Sequence, residues 1–162
     1  MAIPISAQGY QKLVKELAQL KEDRPAIIQA IKEAREQGDL RENAGYDAAR
    51  EKQGMSEARI TYLEARLAQS NIIDLDKLSG DRVVFGCTVT LIDVDTEEEK
   101  VYTILGPDEA DLAKGSISFQ SPVGSALLGH EVGDEVTIAI PKGNVVYEIT
   151  DIRFLGSQVV SD

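Results

Sequence analysis

The sequence predicts an α+β protein in two parts, an N-terminal antiparallel α-helical coiled-coil hairpin over residues 1–75 and a C-terminal β-rich domain over residues 76–162. Three observations in the 162-residue chain predict this division. Apolar side chains in the first part recur at alternating steps of three and four residues, as in a coiled coil. The second part carries runs of β-branched residues between turn signals. The charge also divides there, with 11 Lys and Arg against 12 Asp and Glu before residue 76, and 6 against 16 from residue 76 onward.

The first helix is predicted to follow Ser6, because a serine side chain at the N-cap can accept a hydrogen bond from a free amide of the first turn. Its seam is interrupted once, by Arg24, and otherwise consists of Tyr10, Leu13, Leu17, Leu20, Ile27, Ile31 and Ala34. Pro25 removes one backbone hydrogen bond and is expected to bend the helix. The first helix is expected to end at Gly38, because glycine is common just after the last turn of a helix. A helix of about 30 residues is roughly 45 Å long.

A second helical seam follows after a short connection, which predicts that the two helices are antiparallel neighbours. This seam is strongly apolar near its end and thin near its start, and it consists of Tyr46, Ala49, Gln53, Ser56, Ile60, Leu63, Leu67 and Ser70. An arm with so little core of its own has two possible uses. It is either a dimerisation or spacer coil, or a probe that carries its tip to a place that a globular domain cannot reach.

The β-rich part is predicted to contain five strands, at residues 83–94, 101–105, 117–119, 136–140 and 145–153. The first two flank an acidic turn and predict a hairpin. The last two are joined by Pro141-Lys142-Gly143-Asn144, a strong turn signal. A short helix is predicted at 125–129, a linker at 73–80 and a frayed tail at 156–162.

The composition excludes several classes of function. A net charge of −11 would repel free nucleic acid, so an autonomous DNA- or RNA-binding protein is not expected. A single cysteine, Cys87, and a single histidine, His130, exclude an internal disulfide and a Cys/His zinc cluster. No stretch is apolar enough to span a membrane, and the N-terminus lacks the features of a signal peptide. We therefore expect a cytoplasmic protein that does not bind a membrane.

The connection between the helices carries two acids, Asp39 and Glu42, three residues apart. This spacing has two explanations. Asp39 as N-cap with Glu42 at the third helical position would form a capping box at the positive end of the second helix. Alternatively, the two carboxylates keep free oxygens and share a hard cation such as Mg²⁺. One acidic pair without His or Cys cannot hold that ion tightly, so a partner would supply the remaining ligands.

The residues at this connection resemble a known family. Residues 38–44, followed by Tyr46, Ala48 and Ala49, look like the hairpin tip of the bacterial Gre transcript-cleavage factors, in the GreA branch. The resemblance continues in order through residues 82–89, 106–111, 117–122 and 126–129. It therefore covers nearly the whole chain, across both predicted parts.

The resemblance implies a transcription elongation factor that is not itself an enzyme. Gre-like factors insert the coiled coil into the secondary channel of bacterial RNA polymerase. Their second domain, similar in fold to FK506-binding proteins, docks on the β′ subunit at the channel rim, and the polymerase then cleaves the RNA 3′ end of a backtracked transcript. By that likeness Asp39 and Glu42 would hold a Mg²⁺ ion shared with the polymerase, and Ser121 and Pro122 would form the docking contact. The isolated protein is expected to be a monomer without Mg²⁺.

Arg35 and Arg50 flank the tip, and by the same likeness they would form the basic patch that guides the nascent RNA 3′ end. The alternative is ordinary salt-bridged coil surface. The family usually has a glutamate where this chain has Gly45, a change that removes one tip charge and disfavours the helix by about 1 kcal/mol relative to alanine. This departure leaves open a paralogue that binds the channel and modulates polymerase without stimulating cleavage. A peptidyl-prolyl isomerase would need an aromatic-lined pocket, and a coiled-coil adaptor does not explain the agreement across the β-rich part.

Overall fold

The computed structural model describes residues 2–37 and 43–160. The chain divides into two compact units, one of Gln11–Ser70 and the other of Met1–Tyr10 with Asn71–Asp162. Residues 1–10 and 71–75 therefore belong to the second of these units, whereas the sequence analysis assigned them to the helical arm. In this unit β1 (Ile3–Ser6) pairs with β2 (Ser70–Ile73) in a two-stranded sheet, and Ser6 bonds to Glu109. The pairing joins segments that are far apart in the sequence, so no local pattern predicts it.

The predicted helical hairpin is present. Helix α1 (Ala7–Glu36) has 30 residues and continues through Pro25, and α2 (Ala44–Gln69) has 26 residues. Every predicted seam residue of both helices is buried or half-buried. The most deeply buried are Leu13, Ile27, Ile31, Ile60 and Leu63. The alternating steps of three and four residues therefore identified the facing surfaces of both helices correctly.

The helices are antiparallel, because Ala34, Arg24 and Glu16, taken backwards along α1, bond to Asn43, Glu57 and Arg59, taken forwards along the chain. Among the described residues, ion pairs join the helices at Glu16 with Arg59 at 2.6 Å, Arg24 with Glu57 at 2.8 Å, and Lys21 with Glu64 at 3.4 Å. Arg24, the interruption of the first seam, donates two hydrogen bonds to Glu57. A hydrogen bond from Arg59 lowers the pKa of Glu16. Half-exposed pairs of this kind each contribute about 1 kcal/mol or less.

The second unit is built on a five-stranded sheet in the order β5-β4-β3-β7-β6. The strands are β3 (Thr88–Asp93), β4 (Glu99–Leu105), β5 (Ser116–Ser118), β6 (Glu135–Ile140) and β7 (Gly143–Arg153). The pair β4–β5 is parallel and the others are antiparallel. Helix α3 (Pro122–Leu127) packs against the sheet and contributes Leu127 to the core. The other core residues are Val83, Cys87, Val89, Leu91, Ile104, Val136, Ile138, Tyr147 and Ile149.

Most strand boundaries in this unit agree with the prediction within two residues, and three features differ more. The strand predicted from residue 83 begins at Thr88, because the chain turns at Gly86, whose φ is +90°. The helix predicted at 125–129 occupies Pro122–Leu127. The tail predicted to fray forms a 3₁₀ turn at Gly156–Val160, held in part by the Ser157 amide, which donates to Asp76 Oδ1 at 2.8 Å.

Within residues 2–37 and 43–160, the helices are all too short or too polar to cross a membrane.

Candidate functional site

The loop end of the hairpin is the candidate site. Helix α1 ends at Glu36 and α2 begins at Ala44. Asp39 and Glu42, the predicted acidic pair, lie outside the described residues. Asn43 is the N-cap of α2, with an extended backbone, and its side-chain oxygen accepts the Tyr46 amide at 2.9 Å. The capping-box explanation required α2 to start next to Asp39, and the cap position is instead filled by Asn43.

Asn43 also reaches the other helix. Its side-chain nitrogen donates a hydrogen bond to the carbonyl oxygen of Ala34, in the last turn of α1. The Gln37 amide donates to the same carbonyl at 3.3 Å. One side chain therefore joins the end of α1 to the start of α2. The sequence analysis did not single out Asn43, although asparagine is among the preferred N-cap residues and the following residues are helical.

The two predicted basic residues meet beside the loop. Arg35, in the last turn of α1, and Arg50, in the second turn of α2, line one cavity of about 310 Å³. Lys32 and Gln53 also line it, with an apolar floor. Arg50 donates to Gln53 Oε1 at 3.3 Å. Across the described ranges, neither arginine is paired with a carboxylate, which distinguishes this pocket from the ion-paired middle of the hairpin.

A larger groove runs between the helices next to this pocket. Its volume is about 710 Å³, and small side chains shape much of it, including Ala26, Ala30, Ala48 and Ala49. Ser56 Oγ, which also lines the groove, is buried and has no hydrogen-bond partner in the described part of the chain. The thin start of the second seam, predicted from its small and polar residues, thus corresponds to a real gap in packing.

The predicted docking residues start α3. Ser121 is the N-cap, and its Oγ accepts the Gly124 amide at 3.0 Å and donates to the Ser118 carbonyl at 2.6 Å. Pro122 occupies the first helical turn and is exposed. Its fixed φ suits that position, where a missing N–H costs nothing. Pro122 is therefore available to a partner, while the Ser121 hydroxyl is used within the fold.

Other chemistries find little support in the described residues. Within 2–37 and 43–160, no group of three or more His, Cys, Asp or Glu side chains is arranged to hold a metal ion. Cys87 is fully buried, and that burial raises the pKa of its thiol. His130 contacts Asp134 at 3.1 Å. The Glu131 amide, with a further contribution from His130, lowers the pKa of Asp134. Cys87 therefore belongs to the core of the sheet, and His130 is a half-buried residue beside Asp134.

Comparison with known proteins gives matches along the whole chain. The family model described as transcription elongation factor, N-terminal, matches residues 3–72. The model described as transcription elongation factor, GreA/GreB, C-terminal, matches residues 78–154.

Two similar curated proteins share a name. A protein named transcription elongation factor GreA from Desulfovibrio desulfuricans is 69% identical over 157 residues, which is 97% of each chain. A protein of the same name from Novosphingobium aromaticivorans is 50% identical over 153 residues, covering 94% of this chain and 96% of the relative.

Solved structures also match. GreA factor homolog 1 of Thermus thermophilus is 30% identical with a TM-score of 0.44, covering 94% of this chain and 99% of that one. The GreA/GreB factor from Nitrosomonas europaea is 25% identical with a TM-score of 0.42, covering 95% and 99%.

Proposed function

This chain belongs to the GreA/GreB family of transcription elongation factors, and from that premise we propose that it binds bacterial RNA polymerase and stimulates transcript cleavage. The helical hairpin enters the secondary channel of the polymerase. The polymerase then cleaves the 3′ end of a backtracked transcript in a Mg²⁺-dependent reaction, so that arrested complexes resume elongation. In this proposal the factor is not an enzyme by itself, because the polymerase supplies the nuclease.

The observation that supports this proposal most directly is the arrangement of charged residues at the loop end of the hairpin. Two cations from different helices, Arg35 and Arg50, share one pocket there and pair with no carboxylate of the described ranges. An unpaired guanidinium is suited to bind phosphate oxygens. Asp39 and Glu42 lie in the sequence between these two arginines. The arm thus combines groups that attract RNA phosphates with groups that bind a hard cation.

The proposed chemistry divides between the protein and the polymerase. Asp39 and Glu42 provide carboxylate oxygens, the ligands that Mg²⁺ prefers, and the polymerase provides the remaining ligands. When bound, Mg²⁺ lowers the pKa of a coordinated water and stabilises charge in phosphodiester hydrolysis. Arg35 and Arg50 hold the phosphates of the extruded RNA 3′ end. Ser121 and Pro122 lie at the contact with the β′ rim of the channel.

The test is a cleavage assay on reconstituted backtracked complexes with Mg²⁺. The parent protein should release short 3′ RNA fragments. Asp39→Ala or Glu42→Ala should abolish this release while binding to polymerase persists. Glu33→Ala is the matched control, because it removes an exposed carboxylate of α1 that bonds only to Gln29 among the described contacts. Equal cleavage by parent and both loop variants would show that the acidic pair is not involved.

The same assay separates the second candidate function, a regulator that occupies the channel without stimulating cleavage. Gly45 favours this candidate, because it replaces the usual glutamate of the family at the second position of α2. A parent protein that binds polymerase and releases no RNA would establish the regulator. Gly45→Glu would then be expected to gain cleavage if the missing charge is the cause.

A further inference from the structure

We propose that Asn43 is a positioning residue for the loop chemistry, acting as a clasp between the end of α1 and the start of α2. The proposal rests on the function proposed above, because its effect is exerted through Asp39 and Glu42. Among the described residues, the side chain of Asn43 forms its hydrogen bonds with backbone groups. Its carboxamide oxygen accepts the Tyr46 amide, and its nitrogen donates to the Ala34 carbonyl.

The chemistry of the two bonds requires an asparagine. The Tyr46 amide needs an acceptor and the Ala34 carbonyl needs a donor, so the orientation of the carboxamide is fixed by its partners. Aspartate offers the acceptor but no donor, and it would set a carboxylate against a carbonyl. Serine can cap α2 equally well, but its side chain is one atom shorter than the carboxamide and does not span to α1. Alanine offers neither bond.

The two bonded groups lie at the helix ends, where backbone groups lack their regular helical partner. Ala34 belongs to the last four residues of α1, and its carbonyl accepts the Gln37 amide as well as the Asn43 side chain. Tyr46 belongs to the first turn of α2, whose amides lack a partner within the helix. A single side chain bonds to both, although Asn43 lies nine residues after Ala34 in the sequence. The connecting segment therefore starts and ends at points that are tied to each other.

This tie matters for the proposed chemistry because a shared metal ion demands accurate placement of its ligands. A displacement of about 1 Å can cost on the order of 100-fold in rate. Loss of the Asn43 bond frees the end of α1 from the start of α2, and Asp39 and Glu42 lie between these two points in the sequence. The clasp is thus expected to affect the maximal rate of cleavage, and to leave the concentration needed for polymerase binding unchanged.

The experiment compares Asn43→Ser, Asn43→Ala and the parent, with Asn144→Ser as the control for the same substitution at an exposed asparagine. The first measurement is amide hydrogen exchange of the full protein. In Asn43→Ser, exchange at Gln37, whose amide donates to the same Ala34 carbonyl, should accelerate by about threefold to tenfold, because the last turn of α1 opens more often once its bond to Asn43 is lost. Exchange at Tyr46 should stay slow in Asn43→Ser and accelerate only in Asn43→Ala.

The second measurement is cleavage at saturating factor. Asn43→Ser should lower the maximal rate at least about tenfold with an unchanged half-saturating concentration. Unchanged exchange at Gln37 would overturn the clasp, whatever the cleavage result. Faster exchange with undiminished cleavage would overturn its positioning role. A parent protein that does not cleave would overturn the proposed function, and the positioning role would fall with it, while the exchange data would still decide whether the clasp exists.

Discussion

At the residue scale, the three N-cap side chains share one feature: each caps its own helix and also binds a group outside it. In all three the side-chain oxygen accepts the amide three residues further along, as the helix start requires. The second bonds go to three different places: Ser6 to Glu109, Asn43 to Ala34, and Ser121 to the Ser118 carbonyl. Each cap therefore fixes the start of a helix against another segment of its own unit.

The sequence predicts the first of these bonds better than the second. Ser6 was identified as a cap because it precedes a helical seam. Its bond to Glu109, 103 residues away in sequence, follows no local pattern. Glu109 also accepts the Ser6 and Gly106 amides, and a side chain at Gly9 would collide with its carboxylate. Such a site is set by tertiary packing, which periodicity and capping rules do not contain.

The loop cations give a prediction at this scale. The double substitution Arg35→Ala with Arg50→Ala should lower cleavage several-fold at low salt, because two phosphate contacts are lost. The difference from the parent should shrink as salt rises, since phosphate contacts weaken with ionic strength. Cleavage rates on backtracked complexes over a salt series measure this. Lys15→Ala, on the exposed surface of α1 and 20 residues before Arg35, is the control. A salt-independent loss would contradict a role in binding RNA phosphates.

At the scale of elements, the hairpin is uneven along its length. The end near residues 13 and 63 has buried leucines in the seam. The end near the loop has alanines and a buried, unpaired Ser56 hydroxyl beside a groove of about 710 Å³. Apolar burial contributes about 25 cal/mol per Å², so the loop end gains less from packing. The Arg24–Glu57 ion pair lies between these two regions. It contributes little to stability, and its main effect is to fix how the two helices align along their length.

Elements marked by a local pattern were predicted, and the pair of strands set by distant pairing was not. Both helices and all five strands of the main sheet were anticipated, including β5 with three residues. Strands β1 and β2 were missed, since each is stabilised by pairing with the other across the whole length of the arm sequence. The start of α3 was placed three residues late, although Ser121 and Pro122 form a standard start signal. The sequence analysis assigned both residues to a docking contact and did not consider them as the start of a helix.

Two glycines give opposite predictions for helix stability. A Cβ at Gly54, in the middle of α2, would meet nothing within 4 Å. Gly54→Ala should therefore stabilise the protein by about 0.5–1 kcal/mol, because alanine has the higher helix propensity. A Cβ at Gly124, in α3, would overlap the Ser118 carbonyl oxygen. Gly124→Ala should destabilise by about 1–3 kcal/mol, since backbone must move.

Denaturant unfolding followed by circular dichroism measures both changes against the parent. A loss of stability in Gly54→Ala would mean that α2 is constrained at that position by a contact outside the described residues. An unchanged Gly124→Ala would mean that α3 can shift freely from the sheet. The two variants serve as controls for each other, because the chemical change is the same and only the surroundings differ.

At the scale of the whole molecule, the charge separates the two proposed tasks. The second half carries 6 Lys and Arg against 16 Asp and Glu, and such a surface repels RNA. Its proposed contact with polymerase is therefore a protein contact. The first half is nearly balanced, and Arg35 and Arg50, which pair with no carboxylate of the described ranges, lie at its loop end. Composition alone predicted this division. It could not predict that Ser121 is used by the fold, which leaves Pro122 as the residue to test docking.

Docking can be separated from cleavage in one competition experiment. The double variant Asp39→Ala with Glu42→Ala should bind polymerase without cleaving, and excess of it should inhibit cleavage by the parent. Adding Pro122→Glu should raise the concentration needed for inhibition at least about tenfold, equivalent to about 1.4 kcal/mol, because an unpaired charge enters the contact. Glutamate in the first turn of α3 suits the positive helix end, so folding is preserved.

Asn144→Glu, added to the same double variant, is the control, since it places the same charge at an exposed position of β7. It should inhibit as well as the double variant alone. Equal inhibition by the Pro122→Glu and Asn144→Glu variants would remove α3 from the docking surface. Failure of the double variant itself to inhibit would mean that the acids of the loop are needed for binding as well as for cleavage, because the remaining surface would then be too weak to hold the channel alone.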